Sequence, residues 1–470
     1  MSLTWEQVTG TGSGDGSPDY IVSIAQVGTK LFAATRSVLT PSTYIGGMYV
    51  SNSGGAWAKI NAGLSARIYL CGDFPTCSAD PGGTFTLSYL GQTTSSISFG
   101  ASMATIQSAL EGLSTIGSGN VAVTDSWATA PTITFQGARA NADPTDITVN
   151  TGGLTGTSPG GVIRGPRHCS QLWKTPSGAL LATVRNNNST ELFRLASGGT
   201  TWVKSTGVPL PAGFLYDYTD DGSGNLIGVN TVSTDNVFKS TDDGVSWSAL
   251  ATISTACTSA TGGSDPHPLG IYRASSSIAP NNTLFAVAHH DTPHYSTDGG
   301  STWNCISIQP GGDDLPFAGS SFLRINGGGQ PYFGGENGGF FIHTGAWADS
   351  TWTYPSSPGS GGYLTGNAET VHDAITLSNG DIIVHGKRIY RSTDSGGTFV
   401  LDDSGIPAGD INNYDSGGTF ALASHTLAVG SDGKLYLAIV NQTTGWGIYR
   451  TTTSVVRGVI VRANYKMTVL

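Results

Sequence analysis

The sequence predicts an all-β protein: a closed ring of seven similar four-stranded sheets carrying one small inserted α+β domain. Three observations lead there. Ser240-Thr-Asp-Asp-Gly-Val-Ser-Trp247 recurs as Ser296-Thr-Asp-Gly-Gly-Ser-Thr-Trp303 and again as Ser392-Thr-Asp-Ser-Gly-Gly-Thr-Phe399. A hairpin unit returning about every 50 residues is the mark of solenoids and propellers. The composition agrees, with 67 glycines in 470 residues, only 11% charged residues, and Glu confined to positions 6, 111, 191, 336 and 369; this favours short strands and tight turns over helices. Finally, the last repeat lacks its closing strand while the chain opens with Leu3-Thr-Trp5-Glu-Gln-Val8, a closing strand with nothing before it. Joining the two shuts a ring and removes both sheet edges, so the expected fold is a seven-bladed β-propeller.

Each unit reads as apolar strand, Gly/Asn turn, apolar strand, variable loop, aromatic strand, acidic turn, Trp strand. The units are residues 21–57, 170–202, 216–247, 271–303, 322–352, 373–399 and 421–450. In the acidic turn, Ser or Thr and Asp hydrogen-bond nearby backbone donors. Gly supplies the positive φ that a Cβ would forbid. The aromatic residue that follows packs between neighbouring sheets. On this logic Asp242, Gly244, Trp247, Asp298, Gly300, Trp303, Asp394, Gly396 and Phe399 are structural. The tail from Gly458 to Tyr465 is also strand-like, and it competes for the closing position or reaches a neighbouring subunit.

Residues 78–162 break the period, which divides the chain into 1–77, an inserted module at 78–162, and 163–470. The insert begins with the strand Thr84-Phe-Thr-Leu-Ser-Tyr-Leu90. A helix follows over residues 101–113, with Met103, Ile106, Leu110 and Leu113 on one face. Strands at residues 121–123, 132–135 and 146–149 complete a small α+β unit whose helix covers one face of a sheet.

The acidic turns resemble the Asp-box (BNR) repeats of sialidase-like β-propellers, a group that spans xyloglucan hydrolases, sortilin-type receptors and photosystem assembly factors. The resemblance implies that the insert shares a ligand face with the loops between second and third strands, the acidic turns lying on the opposite rim. The insert itself, with its Gly-Thr-Phe-Thr-Leu and Ile-Gln-Ser-Ala-Leu-Glu-Gly-Leu patterns, is similar to modules embedded in bacteriophage structural and tail proteins.

A sialidase face carries an arginine triad, a general acid and a Tyr–Glu nucleophile pair. Arginines stand at three of the face loops here, but the opening Arg-Ile-Pro motif is replaced by Ala34-Thr-Arg36-Ser and no Tyr–Glu pair is found, so no sialidase residue carries over. The ligand-binding candidates are Tyr44, Arg185, His289, His290, Asp291, Glu336 and Trp446, a set suited to sugar stacking and hydrogen bonding or to packing on another subunit. A glycosidase needs two carboxylates about 5–10 Å apart, for which Glu336, Asp291 and Asp235 are available; loop acids of this kind are generally solvated turn residues. His289-His-Asp-Thr-Pro-His294 offers metal-ligand types but reads as a hairpin loop. Asp217 to Asn225 likewise reads as a turn rather than a calcium loop. No metal or cofactor is expected.

The net charge of −10 without a basic run sets aside nucleic acid as a partner. No apolar run of about 18 residues spans a membrane, and the N-terminus carries no signal pattern. Of the five cysteines, Cys71 and Cys169 flank the insert and Cys257 and Cys305 lie in neighbouring repeats; each pair is a disulfide option beside five unpaired thiols. By resemblance, the expectation is a non-enzymatic structural protein of a phage-like particle, in the tail or adsorption apparatus of the virion. It would dock onto other virion subunits within an oligomeric assembly and grip cell-surface glycan through many weak sites. The alternatives are an Asp-box glycoside hydrolase and a soluble assembly-factor or receptor-type propeller.

Overall fold

A computed structural model describes residues 3–8, 21–35, 47–52, 57–70, 82–128, 130–155, 161–165, 168–185, 190–207, 215–230, 236–253, 268–273, 282–288, 294–305, 319–325, 330–336, 339–343, 352–353, 371, 373–386, 388–406, 426–441 and 445–455. Among these, nine four-stranded sheets form, and seven share one order, each strand pairing with the next. The first is Ile21–Val27, Lys30–Thr35, Gly47–Asn52 and Trp57–Lys59. Later sheets begin at His168, Leu215, Pro268, Gly319, Asp373 and Leu427. The last of them, Leu427–Val429, Leu435–Asn441 and Gly445–Thr451, takes its fourth strand from Trp5–Gln7. This is a propeller architecture, closed by the opening strand in the register Trp5 to Thr451, Glu6 to Arg450 and Gln7 to Tyr449. The tail expected to compete, residues 458–465, lies outside the described residues.

The core is cut into slabs between consecutive sheets. Trp202 packs with Phe32 and Met48 of the first sheet and with Leu64 just after it. Trp247 packs with Trp173 and Leu181 of the second, and Phe399 with Tyr332 and Phe340 of the fifth. Trp5 lies among Ile375, Ile383 and Ile389 of the sixth. A further slab joins the seventh sheet to the first through Tyr436, Ile448, Ile24 and Leu31. Each outer-strand aromatic thus faces backward onto the preceding sheet, where burying so large an apolar area contributes most per residue.

A second device locks the same aromatics. After the fourth strand of the first, second and sixth sheets the chain reaches a glycine with positive φ: Gly63 at 83°, Gly207 at 75° and Gly405 at 92°. The residue before each glycine accepts a backbone hydrogen bond from the next sheet's Trp: Trp202 N to Ala62 O at 2.9 Å, Trp247 N to Thr206 O at 2.9 Å, Trp5 N to Ser404 O at 2.7 Å. A Cβ on these glycines would stand 2.0, 2.0 and 2.1 Å from the carbonyl oxygen of Trp202, Trp247 and Trp5. No side chain fits there.

The acidic turns share one geometry. Ser240, Ser296 and Ser392 donate through Oγ to the Oδ1 of Asp242, Asp298 and Asp394 at 2.8, 2.8 and 2.7 Å. The same Oγ atoms accept from the amides of Gly244, Gly300 and Gly396 at 2.8, 2.9 and 2.7 Å. The carboxylate then takes the backbone N–H and hydroxyl of Ser246, Thr302 or Thr398. Desolvation pushes these three carboxyls toward the neutral form, but the converging donors outweigh it and hold all three below the ordinary Asp value.

The inserted module has its own core. One sheet runs Val121–Thr124, Thr132–Phe135, Ser65–Tyr69, Val162–Arg164, and the other is built on Gly82–Tyr89 and Thr148–Thr155. The helix Met103–Glu111 starts at Ser102, whose hydroxyl caps the Thr105 amide at 3.1 Å, and buries Ile106 and Leu110 between the sheets. Leu113 is buried with them and Met103 is partly buried. The core also takes in Ala66, Ile68 and Ile163, which flank residues 78–162. Cys169 is a free, fully buried thiol, so the Cys71–Cys169 bridge does not form. Burial raises its pKa, which keeps it neutral and unreactive.

Two predictions follow from this packing. Gly405→Ala and Gly207→Ala each lose at least about 2 kcal/mol in denaturant unfolding, from the positive φ and the carbonyl clash together. Because the folded pKa of Asp242, Asp298 and Asp394 is depressed, their stabilisation is complete above the unfolded value near pH 3.8 and disappears as pH falls through the lower folded value. Denaturation midpoints measured between about pH 5 and 2 therefore fall, and the triple Asp→Asn chain shows a flatter profile over that window.

Candidate functional site

The sheet order fixes two rims. Turns between first and second strands, and the acidic turns between third and fourth, emerge at one. Connections between second and third strands emerge at the other, as does the insert, which follows the fourth strand Trp57–Lys59. Arg185 ends the second strand Leu180–Arg185, and Glu336 ends the second strand Pro331–Glu336. Trp446 lies at the start of the third strand Gly445–Thr451, opposite Val440. These three candidates therefore reach the same rim on the second, fifth and seventh sheets. Tyr44, His289, His290 and Asp291 lie outside the described residues, as does Asp235.

Three described polar groups of the inner strands hold neighbouring sheets together. Ser23 Oγ accepts the Leu172 amide at 3.1 Å. Asp217 Oδ2 accepts the Ile271 amide at 3.2 Å, and Asp373 Oδ2 the Leu427 amide at 2.9 Å. Each link runs from the innermost strand of one sheet to that of the next. Five innermost strands carry a bulge at corresponding points, between Ile21 and Ser23, Cys169 and Gln171, Leu215 and Asp217, Pro268 and Gly270, Ser320 and Phe322. Such a bulge bends the strand and re-aims its neighbours. The other oxygen of Asp373 takes the Ala374 amide at 2.9 Å and lies 3.5 Å from the Arg324 guanidinium. His385 Nδ1 sits 2.6 Å from Thr426 Oγ1, again across two sheets.

Asp217 accepts two backbone N–H groups and Asp373 two with a guanidinium beside them, so the role the geometry shows for each is that of a cross-link between sheets. The turn from Asp217 to Asn225 is filled from within. Asp221 accepts the Ser223 and Asn225 amides at 2.8 and 3.1 Å, and the Lys239 ammonium lies 3.3 Å away. Desolvation of Asp221 is outweighed by these donors, so its pKa is lowered. Arg273 lies 2.7 Å from Asp220. Lys239 and Arg273 thus supply the positive charge beside Asp221 and Asp220. Among the described residues, no group of three or more His, Cys, Asp or Glu is placed to hold a metal, and no helix is long and apolar enough to cross a membrane.

The sequence reading passed over the inter-sheet locks. A signal for one of them was present: Asn-Ala-Gly63-Leu, Ser-Thr-Gly207-Val and Asp-Ser-Gly405-Ile follow the fourth strands at matching places. Ser23, Asp217 and Asp373 gave none, since a single polar residue in an apolar strand has no periodic partner.

No family model matches the chain, and no curated protein matches its sequence. Among solved structures it is similar to a GH74 enzyme of Niastella koreensis, at 14% identity and TM-score 0.47 over 97% of this chain and 54% of that one. It is also similar to the GH74 xyloglucanase of Xanthomonas campestris, at 12% identity and TM-score 0.48 over 95% and 53%. YCF48 from Cyanidioschyzon merolae matches at 14% identity and TM-score 0.41 over 61% and 82%. The chain spans about half the length of the two GH74 proteins. At these identities and TM-scores the likeness carries no argument about this chain.

Asp373→Ala leaves the Leu427 amide and the Arg324 charge without their buried acceptor, and costs about 3 kcal/mol in equilibrium unfolding. A loss of some activity with unchanged stability would instead make Asp373 a chemical group.

Proposed function

We propose that the chain is a seven-bladed Asp-box propeller serving as a non-enzymatic docking subunit of a phage-like particle, in its tail or adsorption apparatus. Other virion subunits are its principal partners and cell-surface glycan its secondary ligand. The division into residues 1–77, 78–162 and 163–470 belongs to this reading, with the module's core reaching outward to Ser65 and Arg164.

The supporting observation is the construction of the module. Its first and last strands, Ser65–Tyr69 and Val162–Arg164, pair with each other in the register Val162 to Tyr69 and Arg164 to Arg67. The module therefore leaves and rejoins the ring at one place and adds a self-contained body at the rim where Arg185, Glu336 and Trp446 lie. That is a contact surface added without altering the sheets beneath it. The phage-module resemblance of its sequence supplies the kind of assembly. Asp217 and Asp373 of the inner strands spend oxygens on neighbouring backbone and Asp220 is paired with Arg273, which favours binding over hydrolysis.

Incubation with a panel of polysaccharides that includes xyloglucan gives no turnover by the wild-type chain, and an immobilised glycan array shows weak binding that Trp446→Ala removes. Turnover by the wild type that Glu336→Gln or Asp291→Asn abolishes would establish the hydrolase instead. Electron microscopy of the native source finds the chain on a particle; recovery as a free monomer contradicts the structural-subunit reading.

A further inference from the structure

The closing strand lies in a groove between two walls supplied by other parts of the chain. One wall belongs to the sixth sheet: Asp402 Oδ1 accepts the Leu3 amide at 2.7 Å, the Asp402 carbonyl accepts the Trp5 indole N–H at 3.1 Å, and the Ser404 carbonyl accepts the Trp5 amide at 2.7 Å. The other wall is the edge of Gly445–Thr451, which pairs with Trp5–Gln7. Arg450 Nε lies 2.8 Å from Glu6 Oε1 and Lys434 Nζ 3.4 Å from the same atom. Leu3, Trp5 and Val8 are 6%, 3% and 2% exposed. The groove thus reads an extended segment by its backbone, one deep aromatic anchor and one carboxylate, the combination by which sheet edges take up peptides in trans.

We infer that this groove is a strand receptor that accepts the Leu3–Gln7 segment of a second copy of this chain as well as its own. Three points on the molecule lead to the second copy. The strand makes only three ladder pairs, so its exchange disturbs no other strand of the ring. Its recognition is specific to its own sequence, through Trp5 and Glu6, so the best-matched free partner is an identical segment. Val8 and Ile21 pack in one cluster, whereas the intervening residues 9–20 reach about 40 Å when extended. The chain length between them exceeds what closure within one copy requires. Tethering gives the chain's own strand an effective concentration of roughly millimolar order. Dilute chains therefore close on themselves, and exchange becomes competitive where copies are crowded to that level. The inference rests on the groove and not on the virion reading; either stands if the other fails.

Two variants test it. Glu6 and Arg450 are directly opposed across the strand pair, within the Cα separation that a disulfide spans. A chain carrying Glu6→Cys is mixed with one carrying Arg450→Cys, under oxidising conditions, from micromolar to about 1 mM. Both chains carry Cys71, Cys77, Cys257 and Cys305 replaced by Ser, leaving only the buried Cys169, so that a heterodimer through positions 6 and 450 reports a strand in another copy's groove. The expected result is a heterodimer yield that rises with concentration, absent when either variant is oxidised alone, and suppressed at least about tenfold by adding Trp5→Ala to the Glu6→Cys chain. No heterodimer up to about 1 mM, or one that Trp5→Ala leaves unchanged, overturns the inference. Circular dichroism of each variant establishes that the ring is folded, and a synthetic peptide of residues 1–8 serves as the second readout. It competes with cross-linking if the groove is a receptor and leaves the yield unchanged if it is not.

Discussion

Everything in this ring depends on how one sheet holds the next, and the decisive contact is a tryptophan clamped onto its predecessor. Trp202, Trp247 and Trp5 each bury an indole against the preceding sheet and donate a backbone N–H to the residue before a positive-φ glycine. Apolar burial supplies the magnitude and the backbone bond supplies the direction. The indole fills space, while the Gly63, Gly207 and Gly405 turns fix where each carbonyl stands. Any residue larger than glycine there collides with the carbonyl oxygen of the clamped Trp itself, so the close approach and the sequence are tied to each other. The acidic turns carry out a local version of the task, shaping the loop that delivers the aromatic to its place.

The ring closes by reuse of this contact. Trp5 meets Ser404 and Gly405 as Trp202 meets Ala62 and Gly63. The opening strand is treated as an internal one, although residues 9–20 and the entire ring separate it from its hydrogen-bonded neighbours. Buried polar links between innermost strands, from Ser23, Asp217 and Asp373, add a second layer of attachment. The scaffold thus spends Asp217 and Asp373 on cohesion between neighbouring sheets.

What was legible in the sequence was what repeats or alternates. Ser-Thr-Asp-x-Gly-x-x-aromatic announced the turns, because donors, acceptor and glycine must keep their spacing. Trp5 announced the closing strand, because Leu3 to Val8 resembles the Trp strands that end the other repeats and the last repeat lacks one. Ile106 and Leu110 announced the helix face. Ser65–Tyr69 was not recognised as the module's first strand. It follows the blade strand Trp57–Lys59 almost at once, and Ala66 and Ile68 alternate as a blade strand's residues would. The rim offered least. Arg185, Glu336 and Trp446 sit at strand ends whose adjoining connections differ in length and content from sheet to sheet, so periodicity places their backbone and is silent on what their side chains do together.

The clamp can be measured at three atoms. Amide hydrogen exchange resolved to single residues reports on the N–H groups of Trp5, Trp202 and Trp247, each bonded across a sheet boundary to Ser404, Ala62 and Thr206. This account predicts that all three exchange among the slowest amides of the chain, and that Gly405→Ala releases Trp5 while leaving Trp202 protected. Exchange of these amides at the rate of open turns, with the surrounding strands still protected, would contradict it.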